Sequence, residues 1–226
     1  MIKILIIIQA RLNSSRLPKK VLHQIKGKPL LVYLINRLRC LNDHEICIAT
    51  SDQSSDDAIN NYCEENYVSC FRGSLENVSQ RMLDATIHFN VKEFVRINGD
   101  SPLMDPKIIE QGIEIYQNGD YDLVTNTFPR SFPVGQSVEI IRTSTFEKAY
   151  KKMSNPDHFE HVTKYYYDHP DEFRIKNFSN ANDLSSYRLV VDTPDDLNRM
   201  KKIIGSMTRP HTEYSLDELI ELYPCA

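Results

Sequence analysis

Uncharged runs of β-forming residues alternate with segments whose apolar positions recur every three or four residues. Residues 2–8 form the first run, with Ile4, Leu5, Ile6, Ile7 and Ile8 in succession, and read as a buried strand. Residues 29–41 read as a helix, with Pro29 at its first position and Leu30, Leu31, Leu34, Leu38 and Leu41 on one face. The spacing then predicts a strand over 45–50, a helix over 55–66 opened by Ser and Asp residues, and a short strand over 68–71. Ser74 is placed to cap a helix running to about residue 89, and a strand follows over 93–98. Asp105 caps the next helix with Pro106 at its first position, and residues 121–126 are strand-like again.

This rhythm predicts an α/β protein with a parallel or mostly parallel sheet and helices on both faces. It breaks between about 127 and 170, a stretch holding Pro129, Pro133, Gly135 and Pro156. Within it lie a strand candidate at 138–142, a helix from Ser144 with Glu147 in capping-box register, and the run Tyr165-Tyr166-Tyr167. The stretch reads as an excursion from the sheet that carries acceptor contacts, homodimer contacts or both, within one domain spanning 1–226. The rhythm resumes at 173–178 and 188–191. Thr193-Pro194-Asp195-Asp196 then opens a helix, and 215–223, with Glu218 in capping-box register, is the last.

Composition narrows the class. The chain has 226 residues, 41% hydrophobic and 26% charged, as in an ordinary globular protein able to bury a substantial core. A net charge of −4 argues against a general nucleic-acid footprint. No run reaches the roughly 18 apolar residues needed to span a bilayer, and the apolar start, interrupted by Lys3, reads as a strand rather than a signal peptide. Five cysteines with no C-x-x-C pair suggest reduced thiols and a cytoplasmic setting.

Against that acidic body the segment Gln9-Ala10-Arg11-Leu12-Asn13-Ser14-Ser15-Arg16-Leu17-Pro18-Lys19-Lys20 stands out. It follows the first strand and gathers four cations on one loop, where α/β folds bind phosphates. Neither a Walker A loop nor a G-x-G-x-x-G fingerprint is present, and the loop has no glycine, so side chains do much of the phosphate work. Arg11 and Arg16 offer forked donors for phosphoryl oxygens, Lys20 offers a compact charge, and Ser14 and Ser15 add hydrogen bonds. Two carboxylates follow predicted strands: Asp100 after 93–98, and Asp192 after 188–191. If those strands run parallel to the first, both carboxylates share a rim with the loop, and two carboxylates with substrate phosphates suit Mg2+. Asp192 has a rival role at the start of the helix opened by Thr193. In the excursion, Arg130 and His161 are candidates to receive a carboxylate on an acceptor.

The segments at 9–22 and 71–74, Asn98-Gly99-Asp100-Ser101-Pro102-Leu103-Met104-Asp105, Glu160-His161-Val162-Thr163 and Val191-Asp192-Thr193-Pro194-Asp195-Asp196-Leu197 resemble, in order and spacing, the cytidylyltransferase family. That family includes the CMP-ulosonate and CMP-acylneuraminate synthetases, and the nearest branch is the spore coat polysaccharide group. The resemblance covers nearly the whole chain. It departs from the sialic-acid synthetases at Gln9-Ala10-Arg11-Leu12, where they read Pro-Ala-Arg-Gly.

The resemblance implies a three-layer, Rossmann-like nucleotide-diphospho-sugar transferase fold. It implies that Arg11, Arg16 and Lys20 bind the phosphates of CTP, and that Asp100 and Asp192 coordinate Mg2+. It also implies that Ala10 and Arg11, with the turn Arg72, Gly73 and Ser74, hold the cytidine. The expected reaction is CMP transfer from CTP to a sugar acceptor, an acidic ulosonic type first, for surface polysaccharide. A glycosyltransferase of the same fold and a non-catalytic nucleotide-binding protein are the alternatives. The sequence Asn98-Gly99-Asp100, where glycosyltransferases often carry Asp-x-Asp, counts against the former.

Overall fold

The computed structural model describes residues 4–224, so the beginning of the first expected strand lies outside the described residues. Strand β1 (Leu5–Gln9) leads through the basic loop to a small hairpin, β2 (Gln24–Ile25) and β3 (Lys28–Pro29), and then to helix α1 (Leu30–Leu38). Three strand–helix units follow: β4 (Glu45–Ser51) with α2 (Asp57–Glu65), β5 (Ser69–Gly73) with α3 (Val78–His88), and β6 (Glu93–Asn98) with α4 (Pro106–Gln117). Next come β7 (Leu123–Thr125), β8 (Glu139–Arg142), α5 (Thr143–Tyr150), α6 (Pro156–Glu160), α7 (Lys164–Asp168) and β9 (Ile175–Asn177). Helices α8 (Pro194–Ser206) and α9 (Leu216–Glu221) close the described chain.

The main sheet has the order β5-β4-β1-β6-β8-β7-β9. Only β8 opposes the others: it is antiparallel to both β6 and β7, whereas the β1–β4, β1–β6, β4–β5 and β7–β9 pairs are parallel. The alternation of side chains along β1 explains its continuous apolar run. Ile4, Ile6 and Ile8 join one core with α1, α2, α4, α8 and α9. Leu5 and Ile7 join another with α3, α5 and α7.

Four expectations need correction. The stretch from 127 to 170 does not leave the sheet throughout, because Glu139–Arg142 inserts as the one reversed strand, with Glu139, Ile140 and Ile141 buried. Residues 188–191 are not a sheet strand. They make a single bridge, Val134 to Arg188, and tie to the rim through the Leu189 amide on the Val134 carbonyl at 2.7 Å. Their apolar side chains are buried as expected, but against helices rather than in a ladder. The helix after Ser74 is capped by Asn77, whose side chain accepts from the Gln80 amide, while Ser74 accepts from the Asn77 amide one turn earlier. The helix expected from Ser144 begins at Thr143 with no side-chain cap, and Glu147 pairs with Lys151 instead.

Candidate nucleotide site

The loop after β1 is pinned by alternating its apolar and charged positions. Leu12, Leu17 and Val21 are buried, which turns Arg11, Arg16 and Lys20 toward the rim. Buried Asp56 accepts the Leu12 amide at 2.7 Å and the Ser51 amide at 3.2 Å, tying the loop to the end of β4. The Leu12 carbonyl accepts from both Ser14 and Lys19 at 2.9 Å, and Lys19 takes a left-handed conformation, φ 57°, to close the turn. Gly99 lets β6 approach β1, since a Cβ there would lie 2.9 Å from the Gln9 carbonyl oxygen.

Asp100 follows β6 after the single residue Gly99. Asp192 reaches the same place by a different route: the Val191 amide donates to the Asp100 carbonyl at 2.9 Å, which splices the 188–191 segment onto the end of β6. Gly135, at φ +100°, permits that approach, because a Cβ would collide with the Leu189 backbone at 2.5 Å. The rival role for Asp192 falls to its neighbours. Thr193 is the N-cap of α8 and forms a capping box with Asp196. Asp196 also accepts the Asp192 amide at 3.1 Å and pairs with Arg188 and Arg199. The Asp192 carboxylate, freed from capping, faces Lys20.

The two carboxylates converge on one ammonium. Lys20 Nζ lies 2.5 Å from Asp100 Oδ2 and 2.7 Å from Asp192 Oδ1, with Arg16 3.4 Å from Asp192. Burial pulls the Lys20 pKa down, but the charges and hydrogen bonds of Asp100 and Asp192 outweigh it and hold the group above its ordinary value. Arg11 is paired across the cleft with Glu160, at 2.5 Å and 3.3 Å. These groups line a cleft of about 590 Å³, together with Ala10, Ser14, Ser15 and His161. Among the described residues no cluster of three or more His, Cys, Asp or Glu could hold a metal unaided. Two carboxylates that already share a cation do fit a hard divalent ion completed by phosphate oxygens and water.

The structure thus brings Ala10, Arg11, Ser14, Ser15, Arg16, Lys20, Asp100, His161 and Asp192 to one cleft. The turn at 72–74 is not in its lining. The Arg72 guanidinium is spent on Asp57 and the Ser51 and Gln53 carbonyls. Gly73 accepts the Asp52 amide, and Ser74 braces the start of α3. Leu75 and Glu76, just beyond, do line the cleft. Arg130 also lies outside it, donating to Ser137 Oγ at 3.0 Å within its own loop. Gln9, Arg96 and Asn98 also line the cleft, although they were not among the residues expected there. The signal was present: in Phe94-Val95-Arg96-Ile97-Asn98 the polar residues alternate, so they share a face.

A mostly parallel sheet, a cation-rich loop after its first strand and paired aspartates on the same rim define a nucleotidyltransferase. A family model described as Cytidylyltransferase matches residues 5–220, and the chain belongs to that family. It is similar to the spore coat polysaccharide biosynthesis protein SpsF of Bacillus subtilis, 32% identical over 231 residues that cover 97% of this chain and 93% of that protein. Among solved structures it is similar to a cytidylyltransferase from Leptospira borgpetersenii, with TM-score 0.93 and 32% identity over 98% of this chain and 94% of that one. CMP:2-keto-3-deoxy-manno-octonic acid synthetase, solved with CTP, shares the fold at 17% identity and TM-score 0.68, covering 90% of this chain and 98% of that one. No helix among the described residues is long and apolar enough to cross a membrane.

Proposed function

We propose that this cytidylyltransferase transfers CMP from CTP to a hydroxyl of an acidic sugar and releases pyrophosphate, for surface polysaccharide assembly. The observation that carries this reading is the convergence of Lys20 and Arg16 on Asp100 and Asp192. In the reaction, the acceptor hydroxyl gives up its proton to water, its oxygen bonds to the α-phosphorus, the bond from that phosphorus to the bridging oxygen breaks, and pyrophosphate carries the electron pair away. Negative charge grows on the phosphoryl oxygens and the leaving group, where fixed cations lower the barrier most.

Each residue has a part that its position supports. Arg16 and Lys20 clamp the triphosphate from the loop, and Ser14 and Ser15 add hydrogen bonds from the same backbone turn. Arg11 joins them when phosphate displaces Glu160. Ala10 meets the cytidine. Asp100 and Asp192 are the residues that would hold magnesium, which supplies neutralisation of the triphosphate charge. Lys20 keeps these carboxylates together before substrate arrives and turns to phosphate afterwards. His161 stands at the cleft wall toward the acceptor. The SpsF likeness supports the polysaccharide setting, and the octonic acid synthetase likeness supports an acidic sugar as the first acceptor to try.

The test is pyrophosphate release from each of the four common nucleoside triphosphates, with magnesium and a panel of acidic and neutral sugars. Release that requires both CTP and an acidic sugar is expected. Release with neutral sugars alone, or equally with another triphosphate, would overturn this reading.

A further inference from the structure

A row of polar side chains crosses the sheet beneath the cleft, and the register puts it on one face. Gln9 is the cross-strand partner of Asn98, and Arg96 is the partner of Glu139. Arg96 and Asn98 are two apart on β6, so all four side chains project from the same side. That face is apolar at Leu5, Ile7, Phe94 and Ile141 and turns polar only toward the rim. Glu139 is 4% exposed, and its carboxylate takes Arg96 Nη1 at 2.5 Å, Thr163 Oγ1 at 2.6 Å and Tyr167 Oη at 2.6 Å. Burial pushes the Glu139 carboxyl pKa up, but the Arg96 charge and these hydrogen bonds more than offset it and keep the group below its ordinary value. The anchor is therefore ionised at neutral pH.

Arg96 spends its other donors on two amides. Nε and Nη2 reach Gln9 Oε1 at 3.2 Å and 3.1 Å, and Nη2 also reaches Asn98 Oδ1 at 3.1 Å. A guanidinium has donors and no acceptor, so an amide facing it must present its oxygen. Each amide nitrogen is thereby turned away from Arg96, and neither has a hydrogen-bond partner among the described residues. Gln9, Arg96 and Asn98 all line the cleft.

We infer that Glu139 and Arg96 are positioning residues: they lock the Gln9 and Asn98 amides with both NH2 groups toward the cleft, so that the acceptor half of the site presents donors and selects an oxygen-rich, anionic group on the sugar. The inference rests on the reading of the cleft as a joint nucleotide and acceptor site. It also gives the segment around α7 a function, since Thr163 and Tyr167 hold the anchor from the far side. A carboxylate is favoured because it accepts from two amides at once with no donor to oppose them.

The experiment has two arms. In the first, the side-chain amide signals of Gln9 and Asn98 are assigned by NMR through their loss in Gln9→Glu and Asn98→Asp. They are then compared in the ligand-free protein and in Glu139→Gln. Both signals should shift when the anchor loses its charge; unchanged signals would overturn the inference, whatever the protein's substrates. Tyr167→Phe, which removes one hydrogen bond to Glu139 and no charge, serves where Glu139→Gln fails to fold and should shift the same signals less. In the second arm, 2-keto-3-deoxy-manno-octonate is the probe acceptor, with CTP affinity measured separately by calorimetry. Tyr167→Phe should raise the KM for the probe by about tenfold and change the CTP Kd by less than about threefold. A parallel rise in both constants would mean a general structural role and would also overturn it. If wild type does not use the probe, the acceptor reading fails while the amide signals still decide the positioning claim.

Discussion

Lys20 is the residue on which the cleft's electrostatics turn. Its ammonium is shared between two carboxylates at hydrogen-bond distance, and its pKa is raised despite burial. A raised folded pKa gives stability that is fully present below the unfolded value of 10.5 and fades as pH climbs through the folded value. Lys20→Met should therefore unfold at lower temperature than wild type at neutral pH, with the gap closing in strongly alkaline buffer. Thermal melts across that range check the sign. The same variant should lose about 100-fold or more in turnover, because a fixed cation at a developing phosphoryl charge is removed. Glu160 makes the opposite case. It holds Arg11, a phosphate-binding candidate, in a pair of which both members are about one-third exposed, so nucleotide must compete for that arginine. Glu160→Gln should tighten CTP binding, by about threefold on the scale of an exposed ion pair. Calorimetry with unchanged or weaker affinity would show that Arg11 is not available to phosphate.

At the scale of elements, the start of α8 places Asp192, and Asp196 is what fixes that start. Its carboxylate, 3% exposed, accepts the Asp192 and Thr193 amides and pairs with Arg188 and Arg199. Burial pushes its pKa up, but the Arg188, Arg199 and backbone contacts prevail and hold it well below the usual carboxylate range. A depressed pKa gives stability that is present above the unfolded value of 3.8 and lost as pH falls through the folded value. Asp196→Asn should cost about 2 kcal/mol at neutral pH, the scale for losing hydrogen bonds to a charged group whose arginine partners stay partly solvated. The difference from wild type should shrink below pH 3.8. Turnover should fall as well, since the backbone that carries Asp192 loosens. Denaturant unfolding at several pH values measures the first effect and pyrophosphate release the second.

Elements were legible where local chemistry decides them. The helix start at Thr193-Pro194, the Asp105 cap with Pro106 and the Ser215–Glu218 box stand where the sequence put them, because those bonds close within one turn. Residues 188–191 were misread because burial makes a coil against helices as apolar as a strand in a ladder. Ser74 and Ser144 have capping chemistry, but neither caps a helix: α3 starts at Asn77 and α5 has no side-chain cap.

For the whole molecule, one rim of the sheet collects groups that are 80 and 172 positions apart in sequence. The rim was legible from β1 and β6, which are adjacent and parallel. The arrival of Asp192 was legible only as a residue type, since its path runs through the Val191–Asp100 bond and the Gly135 approach. Arg130 illustrates the limit of charge as a guide: a cation in the right stretch of sequence is consumed by its own loop. Under the proposed function, the loop cations and both aspartates act around one magnesium-loaded triphosphate. The most direct measurement is the affinity for CTP by calorimetry, with magnesium and with a chelator, in wild type, Asp100→Asn and Asp192→Asn. Magnesium should tighten wild-type binding by about tenfold or more, and either substitution should abolish most of that gain with the fold intact by circular dichroism. Retention of the full magnesium effect in both variants would contradict the claim.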